Sequence, residues 1–519
     1  MKNSLGLLLL VVFGLISCQS NKSKEKTTSA EKPNIVFIYF DDLGYGDVGA
    51  YGATELSTPN LDQLANQGLK LTNGYSSSAT CSPSRYAILT GSYPWRNENA
   101  KILAGDAPLL IGVDQPTLPK MLQKQGYETA VIGKWHIGLG SGSVNWNERV
   151  KPGPNEVGFD YSYIMAATQD RVPTVYLENG LVENLDPNDP IEVSYKENFE
   201  GEPTGYDNPE LVTMKADKQH NKTVVNGVPR IGFMKGGQAA RWSDVDMADH
   251  FLNKSQEYVK KQTKEDKPFF LYYAFQQPHV PRTPHPRFEG ATGLGPRGDA
   301  IAEADAMIGE FIATLESEGL LENTLIVISS DNGPILNDGY EDQAVELLGN
   351  HTPAGVFRGG KYSLFEAGTR IPFVVYWKDK IKPGVSDALV SQIDLYNSLS
   401  QLVGSEEATE DGENLLEVFL GKSNQGRESY IVEAMSRTAF RKGDWIMIPP
   451  YKGPSKMWGK DVETGNSKTH LLFNLAEDPS QDNNLAEANP NKLAEMIEDF
   501  EKVRGEGYKN SQAPNTENP

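Results

Sequence analysis

Apolar runs that end abruptly in polar residues organise this chain. Asn34 opens NIVFIYF, an unbroken apolar stretch that stops at Asp41-Asp42. A continuous run, unlike an alternating one, is what a strand covered on both faces requires. The design returns in ETAVIG at 128–133, followed by Lys134-Trp135-His136, and in PFFLYYAF at 268–275, followed by Gln276-Gln277-Pro278-His279. It returns again in TLIVISS at 324–330, followed by Asp331-Asn332-Gly333, and RIPFVVYW at 370–377 reads as a further buried strand. Helical spacing lies between them. Thr58-Pro59 opens a helix with Leu61, Leu64 and Ala65 on one face, and further helices are predicted over about 117–125, 243–262 and 299–318. Alternation of this kind implies an α/β fold with a mostly parallel sheet sandwiched by helices. Four strands then deliver polar residues at their carboxyl ends, where open α/β sheets bind ligands.

Two stretches break the pattern. Residues 141–240 are rich in Gly, Pro, Asn and Asp with little periodicity, and read as an elaboration that shapes a pocket rim more than it holds the core. Beyond about residue 415 come short strands such as ESYIVEA, RKGDWIMI and LLFNLAEDP and a helix over about 491–503, predicting a smaller antiparallel α+β subdomain over 416–510. The main α/β domain is then expected over 33–415 and a disordered tail over 511–519.

The amino end carries an address. Lys2 precedes the apolar run Leu5–Ile16, too short for a comfortable membrane span, so residues 1–17 read as a signal peptide. The Ser-, Lys-, Thr- and Glu-rich segment up to residue 32 suits a flexible tether. A formal charge of −21 argues against binding nucleic acid or an anionic membrane surface. With two cysteines only, Cys18 and Cys81, the chain must rest on its core and not on disulfide staples.

The candidate chemistry centres on TCSPSRYAILTG at 80–91. Pro83 suits a first helical turn and Gly91 the position past the last one. Cys81 would then sit at a helix amino terminus, where free N–H groups favour a thiolate; the plainer reading is a buried structural cysteine. Asp41, Asp42, Asp331 and Asn332 offer oxygen ligands alone, a set that suits calcium or magnesium better than zinc, although Asp and Asn at strand ends also serve as turn and cap residues.

Cys81-Ser82-Pro83-Ser84-Arg85 resembles the C-x-P-x-R signature of the type I sulfatases, within the alkaline-phosphatase-like superfamily. The family's other motifs follow in order across residues 34–373. The resemblance implies that a maturation enzyme oxidises Cys81 to formylglycine, whose hydrate is the nucleophile. It implies one calcium ion on Asp41, Asp42, Asp331, Asn332 and an oxygen of the modified Cys81. Lys134 and His136 match the G-K-W-H segment, His279 the strand-end P-H element and Lys361 the R-G-G-K element. Lys134 and Lys361 would hold the sulfuryl oxygens, Arg85 would steady the hydrate, His279 would protonate the leaving oxygen and His136 would deprotonate the remaining hydroxyl. Three cationic side chains and a divalent ion against three carboxylates would give an anion-attracting pocket of about +2. Leu15-Ile16-Ser17-Cys18 resembles a bacterial lipobox, which implies an exported lipoprotein of the cell envelope, membrane-anchored through Cys18.

The motif surroundings resemble bacterial sulfatases that desulfate glycans, so a sulfated carbohydrate is the expected substrate, with a galactose-type sugar at a chain end as the specific expectation. Arg282, His285, His351 and Arg358, close in sequence to His279 and Lys361, are candidate sugar-binding residues, or, for Arg282 and His285, supports of a proline-rich turn. The alternatives are a phosphonate monoester or phosphodiester hydrolase of the same superfamily and an inactive glycan-binding lipoprotein.

Overall fold

The structure, a computed structural model, describes residues 32–505 and 507. The expected signal peptide, the lipobox cysteine Cys18, almost all of the tether and the tail from 511 lie outside the described residues.

All seven residues of the Asn34–Phe40 strand are buried. It runs parallel to Phe269–Ala274 on one side and Thr324–Ser330 on the other. Glu128–Lys134 and then Tyr161–Met165 extend the parallel set. These strands form the centre of a ten-stranded sheet whose outer strands include antiparallel members, Phe373–Tyr376 among them. One face of the Asn34 strand, Ile35, Phe37 and Tyr39, packs with Leu118, Met121 and Leu122 of the Leu118–Lys124 helix. The other, Val36, Ile38 and Phe40, packs with Phe251, Met307 and Phe311 of the long Met247–Gln262 and Gly295–Ser317 helices. Each fully buried aliphatic or aromatic side chain contributes roughly 1.5–3 kcal/mol, so one strand covered on both faces anchors both layers.

The 141–240 stretch departs from its expected role. It supplies the Tyr161–Met165 strand and buries Trp146, Phe159, Ile164, Val175 and Leu177 in the core, as well as reaching the rim. Its strands are too short, and too broken by Gly and Pro, to show a period.

The carboxyl-terminal strands Ser429–Ala434, Arg437–Lys442, Trp445–Ile448 and Leu471–Asn474 form one antiparallel sheet, against which the Pro490–Arg504 helix buries Met496 and Phe500. This sheet is fastened to the segment before Cys81. Ala79 N–H donates to the Glu433 carbonyl at 2.8 Å, and the Ser78 hydroxyl donates to the Glu433 carboxylate.

Candidate active site

The Cys81–Thr90 helix begins at Cys81 and is buried throughout its ten residues, and it ends at Gly91 in the left-handed conformation (φ 63°). Arg85, one turn on from Cys81, donates through Nε to Asp331 Oδ2 at 2.9 Å and through Nη1 to the Lys134 carbonyl at 3.2 Å. The helix is thereby tied to the ends of two strands. Burial pushes the Cys81 thiol well up, with Lys134 and Lys361 opposing it. Loss of water around the buried sulfur thus opposes the low-pKa thiolate expected from the helix terminus.

Asp41 and Asp42 leave one strand and Asp331 and Asn332 leave its neighbour. Donor atoms of Asp41, Asp42, Cys81 and Asp331 all lie within 4.8 Å of one another. Asp41 Oδ1 and Asn332 Oδ1 are buried without a hydrogen-bond partner, a state that costs about 1–3 kcal/mol per group. Burial, then Asp331, pushes Asp41 well above the usual carboxylate range; burial also raises Asp42, against Lys361. Crowded carboxylates with orphaned oxygens fit a hard cation with oxygen ligands. Cationic side chains surround them. Lys134 pairs with Asp41, Arg85 with Asp331, and Lys361 with Asp42 at 2.8 Å and Asp338 at 2.9 Å, while Lys460 pairs with Asp338. The four acids and four bases balance, so a divalent ion would leave the pocket about +2.

Backbone geometry fixes this arrangement. Gly133 has φ +111°, and a Cβ there would lie 1.9 Å from the Ala274 carbonyl of the adjacent strand; at Gly333 it would lie 1.7 Å from the Ala367 carbonyl. No other residue fits either place, and each glycine sets the aim of its neighbours, Lys134 and Asn332. Asp42 and His136 hold positive φ angles of 65° and 54°, unusual for side-chain-bearing residues and concentrated at functional sites.

Above the cluster opens a cavity of about 390 Å³, lined among others by Cys81, His136, His279 and Lys361. His136 Nε2 lies 2.9 Å from the Leu103 carbonyl, which can only accept, so Nε2 carries the proton and Nδ1 is left as a buried lone pair without a partner. Burial, then Lys134 and Arg171, hold the ring neutral. His279 Nδ1 donates to the Val280 carbonyl at 2.6 Å, and its Nε2 stands 3.9 Å from Asp42 Oδ2. Burial, then Lys361 and Lys134, pull its pKa well below the ordinary histidine value.

Asp41, Asp42, Cys81, Arg85, Lys134, His136, His279, Asp331, Asn332 and Lys361 are thus brought together. The four candidate sugar-binding residues are not, and that expectation is corrected. Arg282 is buried and donates to the Pro278, Ile335 and Leu336 carbonyls and to Asp342. His285 accepts from the Arg287 N–H in a short 3-10 turn. His351 pairs with Asp47 at 2.8 Å, and Arg358 pairs with Glu463. None lines the cavity; nearness in sequence to His279 and Lys361 did not carry over to the cavity, and carbonyls or carboxylates elsewhere take up the donors of Arg282, His351 and Arg358.

The wall opposite the cluster was not foreseen. Asp170 and Arg171 pair at 2.9 Å, and His220 bridges Asp217 at 2.7 Å and Asp170 at 3.4 Å. Tyr195 and Gln219 complete it. Asp170 follows the Tyr161–Met165 strand closely, so the strand-end rule that found the other site residues applies here too, once that short strand is seen. Arg171 and His220 carry no such signal.

A sulfatase family model matches residues 33–405. Over 495 residues the chain is 46% identical to an N-acetylgalactosamine-6-O-sulfatase of Bacteroides thetaiotaomicron, covering 94% of this chain and 96% of the relative. It is 31% identical over 490 residues to the human N-acetylgalactosamine-6-sulfatase, covering 87% and 81%. A solved structure from a study of glycosaminoglycan metabolism by Bacteroides thetaiotaomicron superposes with a TM-score of 0.89 at 47% identity, covering 91% of this chain and 99% of that one. With the motif residues gathered under one cavity and a family match across most of its length, the chain belongs to the sulfatase family and is a hydrolase of sulfuric esters.

Proposed function

We propose that this sulfatase removes the 6-O-sulfate of N-acetylgalactosamine at the end of a glycan chain, using formylglycine at position 81 and one calcium ion. The observation that carries the sugar assignment is the near-full-length likeness to a Bacteroides enzyme named for that bond. The cavity supports it. A wall of Asp170, Arg171, Tyr195 and His220 lines it with polar groups already held in place by one another and by Asp217, a surface better matched to the hydroxyls and amide of a sugar than to an aryl ring. Its volume is at the small end of ligand pockets, about 300–1,000 Å³, which favours one terminal sugar over a threaded chain.

Asp41, Asp42, Asp331 and Asn332 would hold the calcium, which would supply positive charge to the nucleophile and to the sulfuryl oxygens. Formylglycine supplies a hydrated aldehyde, one hydroxyl to attack sulfur and a second which, once deprotonated, expels sulfate. The side chains do the rest. Lys361, at the cavity, and Lys134 beneath it steady the developing charge. His279 presents Nε2 to the leaving oxygen. For that role Nε2 must carry a proton when the bond to sulfur breaks. His136 accepts through Nδ1 the proton of the second hydroxyl. Arg85 holds Asp331 and the end of the Lys134 strand in register and keeps the helix of Cys81 in place.

We also infer export to the bacterial cell envelope with a lipid on Cys18; retention of a Cys18→Ala variant in the membrane fraction would contradict it. The sugar assignment is tested by sulfate release from 6-sulfated N-acetylgalactosamine, galactose and N-acetylglucosamine, with 4-sulfated N-acetylgalactosamine alongside. The first should be turned over at the highest kcat/KM. Equal rates on the gluco epimer, or preference for the 4-sulfate, would refute the assignment.

A further inference from the structure

The catalytic cavity has an outer lip that the reaction does not use. Residues Met457, Trp458, Gly459 and Lys460 come from the loop between the Trp445–Ile448 and Leu471–Asn474 strands and border the cavity. Trp458 and Gly459 also border a second groove of about 770 Å³, whose other walls are formed by residues 213–217 and 336–346. The indole therefore stands where the cavity passes into the groove.

Trp458 is 70% exposed, whereas the other six tryptophans are buried or half-buried. An exposed indole beside a binding cavity offers a flat apolar face with a polar edge, a shape that suits the C–H face of a sugar ring. It is also held still. Lys456 pairs with Asp461 at 2.7 Å, the Met457 N–H donates to the Val462 carbonyl at 2.7 Å, and Asn337 Nδ2 donates to the Gly459 carbonyl at 3.1 Å. Gly459 takes the left-handed turn at φ +68°. Lys460 pairs with Asp338, which itself holds Lys361 of the cavity. The loop tip is thus ion-paired to the cluster beneath the cavity through Lys460 and Asp338, which fixes where the backbone carries the indole.

We propose that Trp458 is the platform of a second subsite, which takes the sugar glycosidically joined to the sulfated one through the C–H face of its pyranose ring. The inference rests on the carbohydrate reading above and deepens it. The cavity is small enough to hold one sugar with its sulfate, and the groove that shares Asp217, Trp458 and Gly459 with it gives the next sugar a way out across the flat indole. The groove beyond gives the rest of the glycan a path over the protein.

The test compares wild type, Trp458→Ala and Trp458→Phe on two substrates: 6-sulfated N-acetylgalactosamine, and a trisaccharide with that sugar at its non-reducing end. Trp458→Ala should lower kcat/KM on the trisaccharide about tenfold, mainly through KM, as loss of an aromatic contact of ~1.4 kcal/mol would. The loss on the monosaccharide should stay under about threefold, and Trp458→Phe should recover most of the trisaccharide activity. Equal losses on both substrates would overturn the subsite and make Trp458 part of the wall for the sulfated sugar. Unchanged kinetics on both would overturn it as well. A wild type that desulfates neither substrate would sink the carbohydrate reading and the subsite with it, whereas failure of the variant comparison sinks the subsite alone.

Discussion

The two sides of the cavity are built differently. On the floor, Asp41, Asp42, Lys134, Asp331 and Asn332 sit at or just past the carboxyl ends of central parallel strands, fully buried, and pair almost entirely with one another and with Arg85 and Lys361. On the wall, Asp170, Arg171 and His220 stand on irregular chain. Under the proposed function the floor would meet what all sulfate esters share, and the wall what distinguishes them. A site divided this way can change its sugar by altering loops while its chemistry stays fixed to the sheet.

Damage to the floor should therefore be severe and blind to the substrate. Cys81→Ser should lower kcat by about 10⁴-fold or more on sugar and aryl sulfates alike, and mass spectrometry of the active wild type should find position 81 oxidised. Asp331→Ala should abolish bound calcium by elemental analysis and cost on the order of 10³-fold in activity. It should also destabilise the protein by about 3–5 kcal/mol in denaturant titrations, because Arg85 is left buried without its counter-charge.

His279 lies at the boundary and sharpens the comparison. Without it, a sugar alkoxide leaves unprotonated and a nitrophenolate hardly notices, so His279→Ala should cost about 10²–10⁴-fold on the sugar sulfate and far less on nitrophenyl sulfate. Equal losses would make it a positioning group. The smallest effect concerns the support behind Cys81. Burial pushes Glu433 from 4.5 to about 7, with Ser78 opposing it. A folded-state pKa raised above the unfolded one favours folding below pH 4.5, and this contribution is lost as pH rises through about 7. Relative to wild type, Glu433→Gln should therefore gain about 2 °C in melting temperature as pH rises across that window.

The floor could be read from the sequence because its residues obey two local rules at once: an apolar run long enough to be a buried strand, and a polar cluster where it stops. The same rules failed where the runs were short. Tyr161–Met165 is a central parallel strand, but its five residues sit among glycines and prolines, so Asp170 beyond it passed for loop. Phe373–Tyr376 was legible as buried but not as antiparallel, since apolar content carries no direction. The long helix begins at Gly295, four residues before the predicted start, because Gly-Pro reads as a turn yet suits a first helical turn. Arg282 and His351 looked functional beside His279 and Lys361. Only the fold reveals that carbonyls and carboxylates already take up their donors.

The division of labour between floor and wall is tested most directly by His220→Ala, which removes a wall group paired with Asp170 and Asp217 and leaves the floor intact. The measurement is the ratio of kcat/KM for 6-sulfated N-acetylgalactosamine to that for nitrophenyl sulfate, in wild type and variant. The account predicts that the ratio falls about 10²-fold, carried by the sugar, as loss of a buried hydrogen-bonding group of roughly 2–3 kcal/mol would require. A ratio that stays constant while both activities fall together would contradict it, since His220 would then serve the chemistry and not the choice of sugar.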